Sequence, residues 1–430
     1  MNTLRTRRRG AFLAGSLSIV AALAITGCAP AAPADDPTAG EEDIELTFLN
    51  QSRGQEAALT QLAEQYTDET GVKVTIDSPG PADYLPKLQA RAQSGDMPDI
   101  YSSFAATDMA PFYKAGWAMD LTDELEAGWS EDFSPEVIEM STFQDGNNLG
   151  VPAGIYSVHW ETQTYGMMVN PALTDMTADD APATMEEFID ANEDDGSFSI
   201  AASLTPMLVQ ALASNWLTDE EIEATFNGEE SWESEGWHNA FQFLVDLKEA
   251  GVIANGALPG GQDDNPSVET AFFTQTLGSI FDASPGVSVG FRTNPEFTDY
   301  FSIGILGADD APLEPRSPGV PGKGAVINPK GEHPEAALDF VKWLTEPAQQ
   351  QVFAEVGLIL PTNPELLASG DVPEQLGGFA EGVASLQVMS TTFTTDVRSA
   401  IVAEAQRLVL GETTVDDALA TIQAAQDRSS

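Results

Sequence analysis

This 430-residue sequence is short of thiols, imidazoles and positive charge: it holds one cysteine, Cys28, three histidines (His159, His238 and His333) and 18 lysines and arginines. One thiol closes no disulfide within the chain, and neither a four-cysteine zinc site nor one of two cysteines and two histidines can be assembled from this set. The histidines stand far apart and near turns, and are read as ordinary core or surface side chains. Against the basic residues stand 68 acidic ones, a formal charge of −50, which repels the phosphate backbone of a nucleic acid. No apolar run reaches 18 residues without interruption, so no segment is read as a membrane span. No serine nucleophile elbow, phosphate loop or His-Glu-x-x-His pair is read in the chain. Asp190-x-Asn192-x-Asp194-Asp195-Gly196 fails as a calcium loop, because its glycine falls one place late and Ala201 stands where the bidentate glutamate belongs. With so many carboxylates, pairs of acids carry no weight for glycoside hydrolysis. No enzyme, metal site or cofactor is expected.

What is present is enough to fold. Hydrophobic residues make up 42% of the chain, sufficient for a sizeable core in two or three domains. Residues 1–28 combine a basic head (Arg5, Arg7, Arg8, Arg9), an apolar run from Ala11 to Ile25 and Ile25-Thr26-Gly27-Cys28. This is the grammar of an export signal, and its end resembles the bacterial lipobox, whose chemistry would attach a diacylglycerol to Cys28 and cleave before it. The paired arginines leave the general and twin-arginine routes both open. Residues 29–43, rich in Ala, Pro and acid, read as a flexible tether. Removal of the signal leaves 14 basic and 68 acidic residues, a charge of −54. A diacyl anchor would hold the domain stably at the outer face of the cell membrane.

From Ile44 onward the periodicity alternates between two and 3.6 residues. Ile44–Leu49 alternates as a strand, Glu56–Thr70 places Leu59, Leu62, Ala63 and Tyr66 on one helical face, and Gly71 stops the helix. A strand at Val72–Ile76, a helix carrying Tyr84, Leu85 and Leu88, and a strand from Pro98 complete a β-α-β-α-β unit, the repeat of a sheet covered by helices. Ligands in such sheets sit beyond the carboxyl ends of the strands, here Asn50–Arg53 and Tyr101–Phe104. A second lobe is expected from about Gly154 to Pro315. The Pro/Gly run Ser317–Gly324 is a plausible crossing between lobes. It is followed by a strand, Ala325–Ile327, and a helix from Pro334 with Ala337, Phe340, Val341 and Leu344 at helical spacing. Two further helices, Thr395–Leu410 and Thr414–Gln426, are separated by Gly411.

Seven short pieces occur in the order found in the family 1 extracellular solute-binding proteins, the receptors of carbohydrate ABC importers. They are Gly71-Val72-Lys73-Val74; Ser94-Gly95-Asp96-Met97-Pro98-Asp99-Ile100; Ala115–Thr122; Asn148-Leu149-Gly150-Val151-Pro152 with Val169-Asn170; Ala271-Phe272 leading to Gly278–Asp282; His333–Ala337 ending in Trp343-Leu344-Thr345; and Gly411–Leu419. Along almost the whole mature chain the sequence resembles this family, which is similar to maltose-binding protein. The resemblance implies a two-lobe α/β periplasmic-binding-protein-like fold of class II type, joined by a hinge, with lobe one at 44–152 and 323–361 and lobe two at 153–322 and 362–430. It also implies a monomeric receptor that closes on a sugar or oligosaccharide and delivers it to permease subunits. Departures at Ala153–Val169 and Phe281-Asp282-Ala283 fall at the expected cleft and make a particular sugar unsafe to carry over.

A sugar offers hydroxyls around weakly apolar faces, so its site needs flat aromatics and fixed carboxylates, amides or arginines. The expected binding set is Asn50, Gln51, Arg53, Tyr101 and Phe104 from lobe one, with Trp160, Glu161, Gln163, Phe281, Asp282, Phe393, Thr394 and Asp396 from lobe two. Trp160 is the expected stacking platform. Trp216, Trp232 and Trp237 are read as packing. A polyamine or other cationic solute is the alternative ligand.

Overall fold

The computed structural model describes residues 44–51, 54–103, 106–147, 149–254, 258, 264–387, 389 and 392–429. The signal, the tether, Cys28, Arg53 and Phe104 lie outside the described residues.

The strands, in chain order, are β1 (Glu45–Leu49), β2 (Lys73–Asp77), β3 (Ile100–Ser102), β4 (Thr142–Phe143), β5 (Gly154–Ile155), β6 (Val158–His159), β7 (Thr162–Val169), β8 (Phe198–Ile200), β9 (Ser279–Ala283), β10 (Phe301–Ile303), β11 (Ser317–Pro321), β12 (Gly324–Ile327) and β13 (Leu386–Gln387). They form two main sheets. One runs β2-β1-β3-β12-β6, the other β13-β11-β7-β9-β8 with β10 on the far half of β7. In the first sheet β1 is parallel to β2 and β3, as the β-α-β-α-β pattern demands, and β12 and β6 close it antiparallel.

Local chemistry accounts for these elements. The helix Glu56–Thr70 buries Ala58, Leu59, Leu62, Ala63 and Tyr66, one stripe at 3.6 spacing, and ends on Gly71 at φ 78°, a left-handed cap that costs glycine little. The helix Pro334–Leu344 starts on proline, whose missing N–H is no loss there, and buries Ala337, Phe340, Val341 and Leu344. The strands bury both faces. In the first sheet Phe48, Ile100 and Ile327 belong to one core and Leu49, Tyr101 and Val326 to another; in the second, Tyr165, Met167 and Val169 oppose Met168 and Ile280. That is the alternation a pleated strand imposes when helices cover both sides.

The chain passes between the sheets where it needs no helix. β6 pairs with β12 in the first sheet, and after Trp160-Glu161 β7 continues into the second. β11 lies in the second sheet and β12 in the first, so the Pro/Gly run is a crossing. Its second strand begins at Gly324, one residue before the expected Ala325. A third strand of backbone runs beside them: Thr162 N–H donates to Leu360 O at 3.1 Å, and Glu161 bridges Pro361. Because β6 pairs with β12, the chain passes from the first sheet to the second beyond His159. Among the described residues no helix is long and apolar enough to cross a membrane.

Candidate functional site

Between the sheets lie two adjoining chambers of about 460 and 420 Å³ that share Gln51, Gln163 and Lys323. Their floor is the crossing strand. Ser157, His159 and Gln163 line the first chamber, and Glu161, Gln163 and Tyr165 the second. These residues are two apart along β6, the Trp160-Glu161 link and β7, and their side chains present five polar or aromatic groups in a row to the chambers.

The same alternation removes Trp160 from the site. It stands on the opposite face, fully buried in the lobe-one core, with its ring stacked on Phe353 at 5.3 Å and 7° and Nε1 donating to Gln55 Oε1 at 3.2 Å. The expected stacking platform is a core residue. Phe281 is corrected likewise: it is fully buried, and Tyr165 covers it with ring planes 14° apart and centroids 6.0 Å apart. Tyr165, not Phe281, borders the cavity. Asn50 is buried, tying the loop after β1 to Ser78 and Ser102, and Tyr101 donates its hydroxyl to Trp117 O inside a core. Phe393 packs edge-on against Phe226, Thr394 caps the helix Thr395–Leu410 by accepting from Val397 N–H, and Asp396 is exposed in that helix's first turn, where a carboxylate suits the helix dipole. None of these five borders either chamber. Of the expected set, Gln51, Glu161, Gln163 and Asp282 come together at the cleft.

The aromatic surface comes from residues that the sequence reading missed. Tyr113 stacks on Tyr156 (5.3 Å, 22°) and meets Phe143 edge-on (5.8 Å). Tyr113 and Phe143 line the first chamber, where Val320 of the second crossing strand is an exposed apolar side chain. Tyr165 follows Gln163 by one strand repeat, a signal that could have found it. Tyr113 carries no such signal, since only the tertiary fold brings its helix, Ala106–Lys114, to the crossing.

The second chamber carries the charges. Glu161 is almost fully buried; its Oε2 accepts from Lys323 N–H at 2.7 Å and lies 4.0 Å from Lys323 Nζ. Burial pushes this carboxyl up, against the opposing pull of Lys323. Asp282 is driven up more strongly, by burial and then by the neighbouring carboxylate of Glu269. Its Oδ1 accepts from Ala283 N–H at 2.7 Å and from Asn265 Nδ2 at 3.4 Å. Burial also raises the phenols of Tyr113 and Tyr165 to about 12, so both are neutral hydrogen-bonding groups at physiological pH. His159 is pushed down to about 4 by burial and is neutral there too.

Gly286-Val287-Ser288-Val289-Gly290 has the spacing of a serine elbow. It forms no strained turn: Ser288 is not at positive φ, and its hydroxyl donates to Pro285 O at 2.8 Å. The sequence Asp190–Gly196 likewise begins inside the helix Met185–Ala191, with Asn192 turned back to Phe188 O. Among the described residues no group of three or more metal-ligating side chains occurs. Trp232 and Trp237 are core, and Trp216 packs against the same cluster.

Two α/β lobes, joined by crossing strands and separated by a cleft with an aromatic end and a charged end, define a two-lobe binding protein. The chain belongs to the bacterial extracellular solute-binding protein family, whose model matches residues 50–351. Its fold is similar to that of the maltose-binding protein MalE of Listeria monocytogenes in complex with maltose (TM-score 0.67, 14% identity, 90% of this chain and 98% of that one). It is also similar to the cyclic alpha-maltosyl-1,6-maltose binding protein of Arthrobacter globiformis (0.62, 19%, 90% and 98%) and to the maltose/maltodextrin-binding domain MalE of Bdellovibrio bacteriovorus bound to maltotriose (0.60, 17%, 90% and 99%). Comparison with curated proteins by sequence gives no match.

Proposed function

We propose that this protein is the substrate-binding lipoprotein of an ABC importer, capturing a sugar or oligosaccharide in the cleft and presenting it to the permease. The observation that carries the reading is the crossing strand, whose alternate side chains Ser157 to Tyr165 floor both chambers. Hydroxyls find amides, a carboxylate and a neutral imidazole there, and the aromatic side chains Tyr113 and Tyr165 supply flat apolar surface, the combination that sugar faces require. The similar structures with maltose and maltotriose support the same ligand class.

Lobe one is taken as 44–152 with 323–361, extended to His159 by its pairing with Gly324, and lobe two as the remainder. A ligand touching both lobes binds the closed form better than the open one and shifts the equilibrium by that difference. Micromolar capture needs about −8 kcal/mol, within reach of several hydrogen bonds and one or two stacked rings after ordering costs. Cys28 would carry the diacylglycerol anchor, keeping the exported domain near its permease. The polyamine alternative has no support: Lys323 and Arg292 border the same chamber as Glu161, Glu269 and Asp282, a mixed set suited to hydroxyls. A thermal-shift screen of the chain lacking residues 1–28 tests the reading. Stabilisation by at least one mono- or oligosaccharide is expected. Stabilisation by amines or amino acids alone would overturn it.

A further inference from the structure

Outside the crossing strands the two lobes meet at a point where one of them presents no side chain. Gly54 follows β1 in lobe one. Its N–H donates to Glu56 Oε2 at 2.8 Å, at the start of the helix Glu56–Thr70, and a Cβ at Gly357, where the third crossing begins, would lie 3.6 Å from its carbonyl oxygen. Ser288 follows β9 in lobe two, in the 3-10 turn Ser284–Val289. Its bond to Pro285 O holds it there, and its neighbour Val287 is fully buried in the core beside Met168 and Ile280. A Cβ built on Gly54 would fall 2.7 Å from Ser288 Oγ and 2.8 Å from Ser288 Cβ, well inside the roughly 3.5–4.0 Å at which carbon atoms pack. Gly54 also stands at φ 85°, a left-handed conformation that glycine enters freely. Glycine is therefore required twice, by the backbone and by the approach of the opposite lobe. The contact lies at the edge of the charged chamber, which Gln51, three residues before Gly54, and Ser288 line from opposite lobes.

We propose that Gly54 and Ser288 form the closure contact of this receptor: the bare backbone of lobe one seats on the Ser288 side chain of lobe two when the cleft shuts, and sets how far the lobes can close. The inference rests on the reading of the cleft as the ligand site. Gly54 moves with β1 and Ser288 with β9, so a rotation about the crossing strands that opens the cleft separates them. A side chain at position 54 stops the return rotation short, and groups on the two walls of the charged chamber are then too far apart to hydrogen-bond one ligand together. Because the contact belongs to the closed form, it acts on affinity through the open/closed equilibrium. Gly54 itself borders neither chamber.

The chain lacking residues 1–28 holds no cysteine, so the pair Gly54→Cys with Ser288→Cys reports the contact without any ligand. A disulfide needs about 3.8 Å between Cβ atoms against the 2.8 Å found here, a small adjustment. Mild oxidation should form it and lower the radius of gyration relative to the reduced protein; no disulfide, with or without sugar, overturns the proposal. Sugar affinity then separates contact from backbone strain. Gly54→Ala should weaken binding about tenfold, and Gly54→Asn, larger but more tolerant of a positive φ, about a hundredfold. The ligand-induced fall in radius of gyration should shrink in the same order. Ser288→Gly leaves the nearest Ser288 atom, Cα, 4.0 Å from the added Cβ, and in that background the effect of Gly54→Ala should drop to within about threefold. Weaker binding by Ala than by Asn, or an undiminished effect of Ala beside Ser288→Gly, assigns the loss to strain and overturns the proposal. Circular-dichroism melting checks that each variant is folded, and Gly54→Asn keeps the test open if strain prevents Gly54→Ala from folding. The disulfide arm needs no sugar, so it is decided even where the thermal-shift screen finds no sugar and the ligand reading itself fails.

Discussion

Replacing Trp160 distinguishes a core residue from a ligand platform. The side chain is fully buried, stacked on Phe353 and bonded to Gln55, itself fully buried. Trp→Ala truncation in a core costs about 3–5 kcal/mol, the lost ring pair about 0.5–1.5 kcal/mol, and the orphaned Gln55 Oε1 about 1–3 kcal/mol. Because these losses overlap at one site and the neighbours relax, a total of roughly 4–6 kcal/mol is expected. Trp160→Phe keeps a stacked ring and loses mainly the indole N–H, so about 1–3 kcal/mol is expected for it. Urea unfolding followed by circular dichroism should show both midpoints lowered, Ala far more than Phe, at an m-value close to wild type. Sugar affinity, measured well below each midpoint, should stay within about threefold, since no atom of Trp160 borders the cleft. A Phe variant with an unchanged urea midpoint and a hundredfold weaker affinity would refute the assignment and restore Trp160 as a platform.

Tyr165→Phe keeps the stack on Phe281 and removes the hydroxyl, so sugar affinity should fall about tenfold with the urea midpoint nearly constant, as titration calorimetry would show. Gly324→Ala forces a Cβ against the Val158 carbonyl and the His159 ring and should cost about 1–3 kcal/mol of stability, read from the same unfolding curves. His159 adds a pH dependence of known sign. Its folded-state value, about 4, lies below the unfolded reference of about 6.5. The unfolded chain therefore binds the extra proton between these values, and stability is lost as pH falls through them. At 1.36 kcal/mol per pH unit the loss approaches roughly 3 kcal/mol by pH 4, measurable as the difference between wild-type and His159→Gln stability curves from pH 7 to pH 4.

Much of the fold was legible because local periodicity and tertiary burial agree. Leu59, Leu62, Ala63 and Tyr66 could form only one helical stripe, and the helices starting at Pro334 and Thr395 carried their own start signals. The Pro/Gly run marked a crossing because its residues suit irregular backbone. The site was legible only in part. Glu161 and Gln163 were found from their place at the lobe junction, but Trp160, the immediate neighbour of Glu161, was assigned to the same surface on the strength of its chemistry. A strand forbids that, since neighbours point to opposite faces. Strand periodicity applied to Glu161 and Gln163 leads to Ser157, His159 and Tyr165 as well.

Sequence alone determined the β-α-β pattern, marked the Pro/Gly run at 317–324, and carries the pattern of an export signal in residues 1–28. It could not decide which side chains of 157–165 meet the cavity. That choice rests on partners far along the chain, Gln55 and Phe353 for Trp160, Gly322 for His159 and Phe281 for Tyr165. Alternation is a property of a few consecutive backbone units, whereas burial depends on what another part of the chain brings against each face. Only the tertiary structure could place Tyr113 over one chamber and seal Trp160 beneath the floor.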